Sequence, residues 1–356
     1  MSEEIKDIRN EYSEQIIDDT PVLPTPEEIA AEKKAMKRVF SRCGWATLLL
    51  VGSALVMSII LGVVMGIFGN YIEMIQSNLL YINEVMVGLA CLIGALLIVK
   101  LPKSAPKTNS IGVKAFFALL SVSIAVSTVG NIIGTRWLLL LELFTGASTE
   151  NQITSVLTDM DAWQLIICAG ILAPIIEELF FRKLIIDRMI KYGEVAAILS
   201  SAVLFGLFHQ NLAQFFYTFG VGLIWGYVYC KTGSYKVVVL LHMAFNFIGG
   251  VLPSVILTDT TGLAELLNST TEFSELIPIL FAEYGLLILA YIIYIFGSLA
   301  LNIGGIAVVL MNVKKIKLER GDSILTAQEK KHAAMRNSGM IAAAIGLMIL
   351  SIIAVF

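Results

Sequence analysis

Apolar and polar positions alternate in long blocks, so that nine apolar runs are separated by shorter polar segments. A helix needs about 17 to 25 residues to cross the roughly 30 Å hydrocarbon core of a bilayer. The runs lie at 45–68, 79–99, 112–135, 162–181, 194–210, 212–230, 237–257, 284–312 and 338–356. The pattern predicts an all-α fold, a polytopic membrane helix bundle of about eight to nine transmembrane helices.

Composition supports a membrane protein and excludes an ordinary soluble domain. The chain is 57% hydrophobic and 15% charged, whereas soluble domains carry about 25% charged residues. We therefore expect the lipid bilayer, and no nucleic acid, as a partner. Four scattered cysteines form no Cys-x-x-Cys pair, which predicts buried thiols without a disulfide framework or a thiolate metal site. They are Cys43, Cys91, Cys168 and Cys230.

The distribution of basic residues predicts the orientation of the bundle. With a cytoplasmic N-terminus and nine spans, every Lys and Arg except Arg136 falls in a cytoplasmic segment. This agrees with the positive-inside rule. It predicts a multi-pass protein with an exterior C-terminus, and a plasma membrane is the expected location. The exterior loops at 136–161 and 258–283 are acidic instead.

Four regions follow from this reading. Residues 1–44 form a cytoplasmic tail whose first 24 residues we expect to be flexible. A basic amphipathic helix then starts near Thr25-Pro26, where a cap residue precedes a proline and a glutamate follows at the third helical position. Residues 45–160 hold the first transmembrane helices and an acidic exterior loop. Residues 161–256 form the core that holds the candidate catalytic residues. Residues 257–356 hold a second acidic loop and the last helices.

Two adjacent acids and an arginine lie inside one apolar run, as Glu177, Glu178 and Arg182. A charge at the centre of a membrane helix costs roughly 2.5 to 3.5 kcal/mol on insertion scales, so such a cluster indicates a functional site. Glu178 and Arg182 are spaced i, i+4 with the acid first, which favours an ion pair. Glu177 is rotated by about 100° and lacks that partner.

A histidine falls opposite the acids if the fourth helix continues to about Lys191 and turns near Tyr192-Gly193. Glu177 then lies 16 residues before the turn and His209 16 residues after it. At 1.5 Å per residue both reach about 24 Å along an antiparallel hairpin, at matching depth. Glutamate and histidine are thus expected to meet inside the membrane.

His242 and Asn246 are spaced four residues apart and share a helix face, so both can point into one cavity. His242 lies six residues after Lys236, so it should lie nearer the cytoplasmic surface unless its helix starts earlier or is tilted. A lone intramembrane histidine or asparagine often serves only as a hydrogen-bonding group between helices, contributing about 0.6 kcal/mol. Several ionisable groups in successive apolar segments favour a site instead.

The ordered set resembles the three motifs of the CPBP family, which joins CAAX prenyl endopeptidases to bacterial Abi or bacteriocin-immunity proteins. The motifs are Glu177-Glu178-xxx-Arg182, Phe205-xxx-His209 and His242-xxx-Asn246. The resemblance covers roughly residues 160–250. It implies an intramembrane endopeptidase acting on a membrane peptide or a lipidated protein, with a polar cavity inside the bundle.

The resemblance also implies roles for the residues of the first two motifs. Glu177 matches the general base that activates water. Glu178 and Arg182 match a supporting pair of the catalytic site, and His209 matches the histidine that holds or helps activate the water.

His242 and Asn246 match the third motif, as donors to the tetrahedral oxyanion. A zinc ion held by Glu177, His209 and His242 is an alternative, because catalytic zinc commonly has three such ligands and an open position. The chain has no His-Glu-x-x-His motif, and asparagine is a poor zinc ligand. Metal-independent water activation, without a cofactor, is the favoured expectation.

Two other functions remain open on the residues alone. A proton-coupled transporter could use buried Glu, His and Arg as a relay, but no repeat with interrupted helices is found in the sequence. A catalytically inactive bacteriocin-immunity protein could keep the fold and the motifs without turnover. The motifs do not identify the substrate.

Overall fold

The computed structural model describes residues 23–67, 79–106, 108–146, 162–258 and 273–354, which contain helices and no strand. The helices are α1 (Pro26–Ile67), α2 (Leu79–Ala95), α3 (Val113–Thr145), α4 (Ala162–Tyr192), α5 (Glu194–Phe208), α6 (Leu212–Thr232), α7 (Tyr235–Asn246, continued by Phe247–Val251 and Leu252–Thr258), α8 (Phe273–Asn312), α9 (Ala327–Met335) and α10 (Ser338–Ile353). The predicted all-α membrane bundle is confirmed.

Length and hydropathy separate these helices into two groups. Within the described ranges, α1, α3, α4, α7 and α8 are long and apolar enough to cross a membrane, and α9 with α10 forms a pair bent by 52° that could add a sixth span. The apolar helices α2 and α5 are shorter. The chain is a multi-pass integral membrane protein, and the count of nine spans stays a prediction.

The N-terminal helix starts where the sequence predicts. The main-chain N–H of Glu28 donates to Thr25 Oγ1 at 3.2 Å, and the N–H of Thr25 donates to Glu28 Oε2 at 2.8 Å. This reciprocal pair satisfies two main-chain donors that the first turn would otherwise leave unpaired. The helix continues without a break to Ile67, so the predicted tail helix and first span are one helix. The tail at 1–22 lies outside the described residues.

Both predicted exterior loops are shorter than expected. α3 runs through Arg136 to Thr145, because the residues after Arg136 remain apolar, and it ends at Gly146 in the left-handed conformation with φ 69°. Glycine ends helices in this way because it lacks the Cβ penalty. α8 already begins at Phe273. The intervening parts, 147–161 and 259–272, lie outside the described residues.

The turn between α4 and α5 confirms the predicted hairpin. α4 ends at Tyr192, Gly193 adopts φ 112°, and α5 begins at Glu194. A positive φ of this size is readily adopted by glycine only. The hairpin places the acids of α4 alongside the end of α5.

A buried arginine fixes α4 against the segment that follows α2. Arg188 Nε donates to the main-chain oxygen of Ile98 at 3.0 Å, and its Nη2 donates to that of Val99 at 3.2 Å. Its Nη1 also donates to the main-chain oxygen of Leu184 at 3.0 Å. One guanidinium with five donors can satisfy several carbonyls together. All four cysteines are buried free thiols, as predicted.

Candidate active site

One cavity of about 480 Å³ lies between α3, α4, α6, α7, α8 and the end of α5. Four of the predicted site residues line it: Glu177, His209, His242 and Asn246. Glu178 and Arg182 are fully buried beside the cavity without lining it. The structure thus brings the three motifs into one region and gives the two adjacent acids different surroundings.

Glu178 and Arg182 form the ion pair that their spacing predicts. Arg182 Nε lies 3.0 Å from Glu178 Oε2, and both side chains are 0% exposed. The guanidinium carbon of Arg182 also lies 4.6 Å from the centre of the Phe205 ring, a distance at which a cation is attracted to the aromatic face. The planar guanidinium is therefore held by a carboxylate and by an aromatic ring.

His242 is oriented by Glu178. Its Nδ1 donates to Glu178 Oε1 at 3.0 Å, and a neutral ring then carries its lone pair on Nε2. The imidazole lies 4.2 Å from the Trp225 ring, between centroids, and Trp225 Nε1 donates to Ser123 Oγ at 3.1 Å. The position of the ring is set by a hydrogen bond and by an anchored aromatic neighbour.

The structure places His242 beside the acids of α4, as expected if α7 starts early or is tilted. α7 begins beside the middle of α4, where the Tyr235 hydroxyl donates to the main-chain oxygen of Ile175 at 2.7 Å. α4 continues far beyond this point, to Tyr192. The start of α7 therefore lies deeper than the end of α4, and His242 reaches the depth of Glu178.

Glu177 faces the cavity and is not held by the ion pair. Its Oε2 lies 3.8 Å from His242 Nε2, which is too long for a direct hydrogen bond. The same oxygen is buried and has no hydrogen-bond partner among the described residues. Across a gap of this length, one water molecule can bond to both groups.

Asn246 provides a hydrogen bond that α4 lacks. The N–H of Ala173 bonds to the oxygen of Cys168 in a π-helical turn, and Pro174 has no N–H to offer to the next carbonyl. The oxygen of Ala169 is therefore left without a helical donor, and Asn246 Nδ2 donates to it at 2.8 Å. This bond fixes the side chain of Asn246 and uses one of its two amide hydrogens.

His209 lies at the end of α5 and presents one nitrogen to the cavity. Its Nδ1 lies 2.9 Å from the main-chain oxygen of Phe205. Since a carbonyl can only accept, Nδ1 carries the hydrogen and a neutral ring keeps its lone pair on Nε2. The Phe205 ring packs edge-on against the imidazole at 4.9 Å, so the second motif holds His209 through both its main chain and its aromatic ring.

The structure adds residues that the sequence analysis missed. Glu84 on α2 lies within electrostatic range of Glu177, and its Oε2 is buried without a hydrogen-bond partner among the described residues. An acid inside the predicted span 79–99 was a signal for it. Trp225 and the amide of Gln214 also line the cavity, and no motif marks them.

The side chains do not form a metal site in this arrangement. Within the described ranges, no three His, Cys, Asp or Glu side chains are grouped closely enough to hold an ion. The hydrogen bonds at Nδ1 of His242 and His209 leave Nε2 of each ring as the nitrogen that a metal could bind. A zinc site of Glu177, His209 and His242 would require these groups to move together.

Comparisons with known proteins match the part of the chain that holds this site. Residues 159–248 match the family described as type II CAAX prenyl endopeptidase, Rce1-like. A Bacillus subtilis (strain 168) protein described as a candidate membrane peptidase, YdiL, is 29% identical over 166 residues, which cover 44% of this chain. The match spans 66% of the length of that relative, and no solved structure matches the chain. The match of residues 159–248 and the similarity to this relative support the resemblance of this segment to the CPBP family of CAAX proteases.

Proposed function

We propose that this protein is an intramembrane endopeptidase that hydrolyses a membrane-associated peptide with water activated by Glu177. The observation that carries the proposal is the separation of the two adjacent acids. Glu178 contacts Arg182 and His242, whereas Glu177 faces the cavity. A carboxylate that is free of an ion pair and close to bound water can accept a proton from it.

In the proposed reaction, Glu177 removes one proton from a water molecule while the lone pair of His209 Nε2 accepts a hydrogen bond from the same water. The water oxygen attacks the carbonyl carbon of the scissile peptide bond and forms a tetrahedral intermediate. The carbon–nitrogen bond then breaks, and Glu177 returns its proton to the leaving amine. One water is added across one peptide bond, so the reaction needs no redox partner.

His242 and Asn246 are proposed as donors to the oxyanion of that intermediate. His242 can donate from Nε2 only in its protonated form, and Glu178, which holds the ring at Nδ1 as a carboxylate holds the histidine of a hydrolase triad, stabilises that imidazolium. Asn246 is fixed by Ala169 through one amide hydrogen and keeps the second. Donors that are already oriented in a water-poor site stabilise developing charge strongly.

The family description supports a lipidated peptide as the substrate class, because the matching proteins are described as prenyl endopeptidases. The volume of about 480 Å³ falls within the range of ligand-binding cavities. We propose a peptide with a prenylated cysteine near its C-terminus, and an unmodified membrane peptide as the second choice. The proposed hydrolysis does not use a metal ion.

The test is turnover of a quenched-fluorescent peptide with a farnesylated cysteine near its C-terminus, measured beside the same peptide without the lipid. We expect Glu177→Gln to lower kcat by about 100-fold or more, the usual contribution of a general base. Glu32→Gln is the matched control, because it makes the same chemical change in a surface ion pair with Lys191 at 3.0 Å. Equal turnover of Glu177→Gln and Glu32→Gln would exclude Glu177 as the base.

The two alternative functions predict different results. A proton-coupled transporter predicts uptake into vesicles that depends on a pH gradient, with no cleavage of the peptide. An inactive immunity protein predicts neither cleavage nor uptake by wild-type protein. Cleavage that is lost with Glu177→Gln excludes both.

A further inference from the structure

Gln214 is a buried residue of the cavity wall whose side chain is unused by the fold. It lies in the first turn of α6, is 7% exposed and lines the cavity. Its main-chain N–H donates to Asn211 Oδ1 at 3.0 Å, and its main-chain oxygen accepts from the Thr218 hydroxyl at 2.8 Å. The side-chain amide makes no hydrogen bond to any residue that the structure describes.

Such an amide requires an explanation. Unlike Glu177 Oε2, the amide atoms of Gln214 are not fully enclosed without a partner, because they are accessible from the cavity that the residue lines. The cavity is large enough for water to reach the amide, so the fold tolerates it when no ligand is bound. The amide therefore keeps its donor and acceptor groups available to a ligand in the cavity.

The position of Gln214 on α6 relates it to the proposed chemistry. Thr218, Val221 and Trp225 follow at intervals of four, three and four residues, so they share its helix face. All of them line the cavity, and Trp225 stacks against His242. The face is therefore polar near His209, where α6 begins, and apolar near His242.

A second amide reaches the same wall from α3. Gly134 packs directly against the main chain of Ala213, and Gly130 against that of Tyr217, where a Cβ atom on either glycine would collide. This close approach brings Asn131, which follows Gly130, beside the first turns of α6. Asn131 also lines the cavity and makes no side-chain hydrogen bond within the described ranges.

We infer that Gln214 is a substrate-binding residue that pairs with a main-chain peptide group of an extended substrate segment. The inference rests on the proposed function. A carboxamide presents a donor and an acceptor, as a peptide group does, so it can bond to both an N–H and a C=O. In an apolar site, an extended chain must have such partners, whereas the main chain of a helical segment is already paired.

The substrate class that follows is a peptide that is extended, not helical, where it passes the polar end of α6. Asn131 offers a second carboxamide to the same main chain. The lipid or apolar side chains of the substrate would then lie towards Val221 and Trp225. Recognition of the main chain makes little demand on the sequence of the peptide at this position.

The test compares Gln214→Leu with Thr218→Val in purified protein. The Thr218 hydroxyl is bonded to its own helix, at 2.8 Å to Gln214 and 3.2 Å to Phe215, so valine removes no free donor from the wall. With the farnesylated probe, we expect Gln214→Leu to raise KM about tenfold, the equivalent of one lost hydrogen bond. We expect kcat to stay within about threefold, and Thr218→Val to change KM by less than threefold.

A binding assay separates this inference from the proposed function. This assay does not require turnover, so it is carried out in the Glu177→Gln background. The affinity of the probe is measured with each peptide bond in turn replaced by an ester. One ester should weaken binding about tenfold when Gln214 is present and have no effect when it is leucine, because the two changes remove the same bond. Equal ester effects with Gln214 and with leucine, or a Gln214→Leu variant with unchanged KM and Kd, would overturn the inference even if the peptide is cleaved.

Discussion

Asn246 donates a hydrogen bond across 2.8 Å to the main-chain oxygen of Ala169, which has no helical donor because Pro174 follows five residues later. This bond links the third motif to the helix that carries the first. It also shows that Asn246 has a structural task beside its proposed catalytic one.

The first prediction separates these two tasks of Asn246. Asn246→Ala should lower the free energy of unfolding by about 1–3 kcal/mol, because it leaves a buried carbonyl unpaired. Pro174→Ala supplies an N–H in α4, so adding it to Asn246→Ala should recover part of that loss without restoring turnover. Unfolding titrations in SDS-containing mixed micelles and peptide cleavage are the measurements. If the two changes are additive in stability, the link between them is wrong.

The second prediction concerns the buried ion pair. Arg182→Met should lower the free energy of unfolding by about 3–5 kcal/mol, since it leaves Glu178 buried without its counter-charge. In the double variant Arg182→Met/Glu178→Gln the residual charge is gone, and the amide oxygen can still accept from His242. The double variant should therefore be more stable than Arg182→Met alone, as measured by the same titration. A double variant that is less stable would show that Glu178 is needed for more than charge balance.

Local spacing explains which parts of the site were predictable. The Glu178–Arg182 pair depends only on an i, i+4 relation, and the position of the α4–α5 turn depends on a glycine between two apolar runs. Both features are confirmed. Pro174 can be read from the sequence. The π-helical turn at Cys168, which makes Pro174 the missing donor for the oxygen of Ala169, cannot be read from it.

The features that the sequence left open depend on how helices pack. The depth of His242 is set by where α7 begins beside α4, which is a tertiary relation that a count from Lys236 cannot supply. The wall that contains Gln214 exists because two glycines let α3 approach α6 closely. Glu84 comes from a helix outside the matched segment, so the motifs do not mark it.

A third prediction tests the end of the matched segment where the residues after α8 pack on the α4–α5 turn. Lys231 Nζ lies 2.6 Å from Glu194 Oε2 and 3.6 Å from Glu319 Oε1, while the side chains of Glu194 and Glu319 are 4% and 81% exposed. Lys231→Met should lower the free energy of unfolding by about 2 kcal/mol, because it removes the cation beside a buried acid.

Glu319→Gln is the control for Lys231→Met. An exposed ion pair contributes about 0–1 kcal/mol, and the main-chain N–H of Glu319, which donates to Glu194 Oε2 at 2.8 Å, is unchanged. We therefore expect a loss of less than about 0.5 kcal/mol, measured by SDS titration. Equal losses for the two variants would show that the contact with the exposed segment matters more than the buried acid.

The last prediction concerns divalent metal. Catalytic zinc needs three protein ligands held around an open position, whereas the described residues contain no group of three His, Cys, Asp or Glu side chains close enough to hold an ion. We expect cleavage of the farnesylated probe to persist, within about twofold, after treatment with 1,10-phenanthroline and EDTA. Metal analysis of the purified, active protein should give far less than one zinc per chain. Loss of activity on chelation that zinc restores, together with stoichiometric zinc that His209→Ala abolishes, would show that the cavity rearranges around a metal and that Glu177 acts beside it.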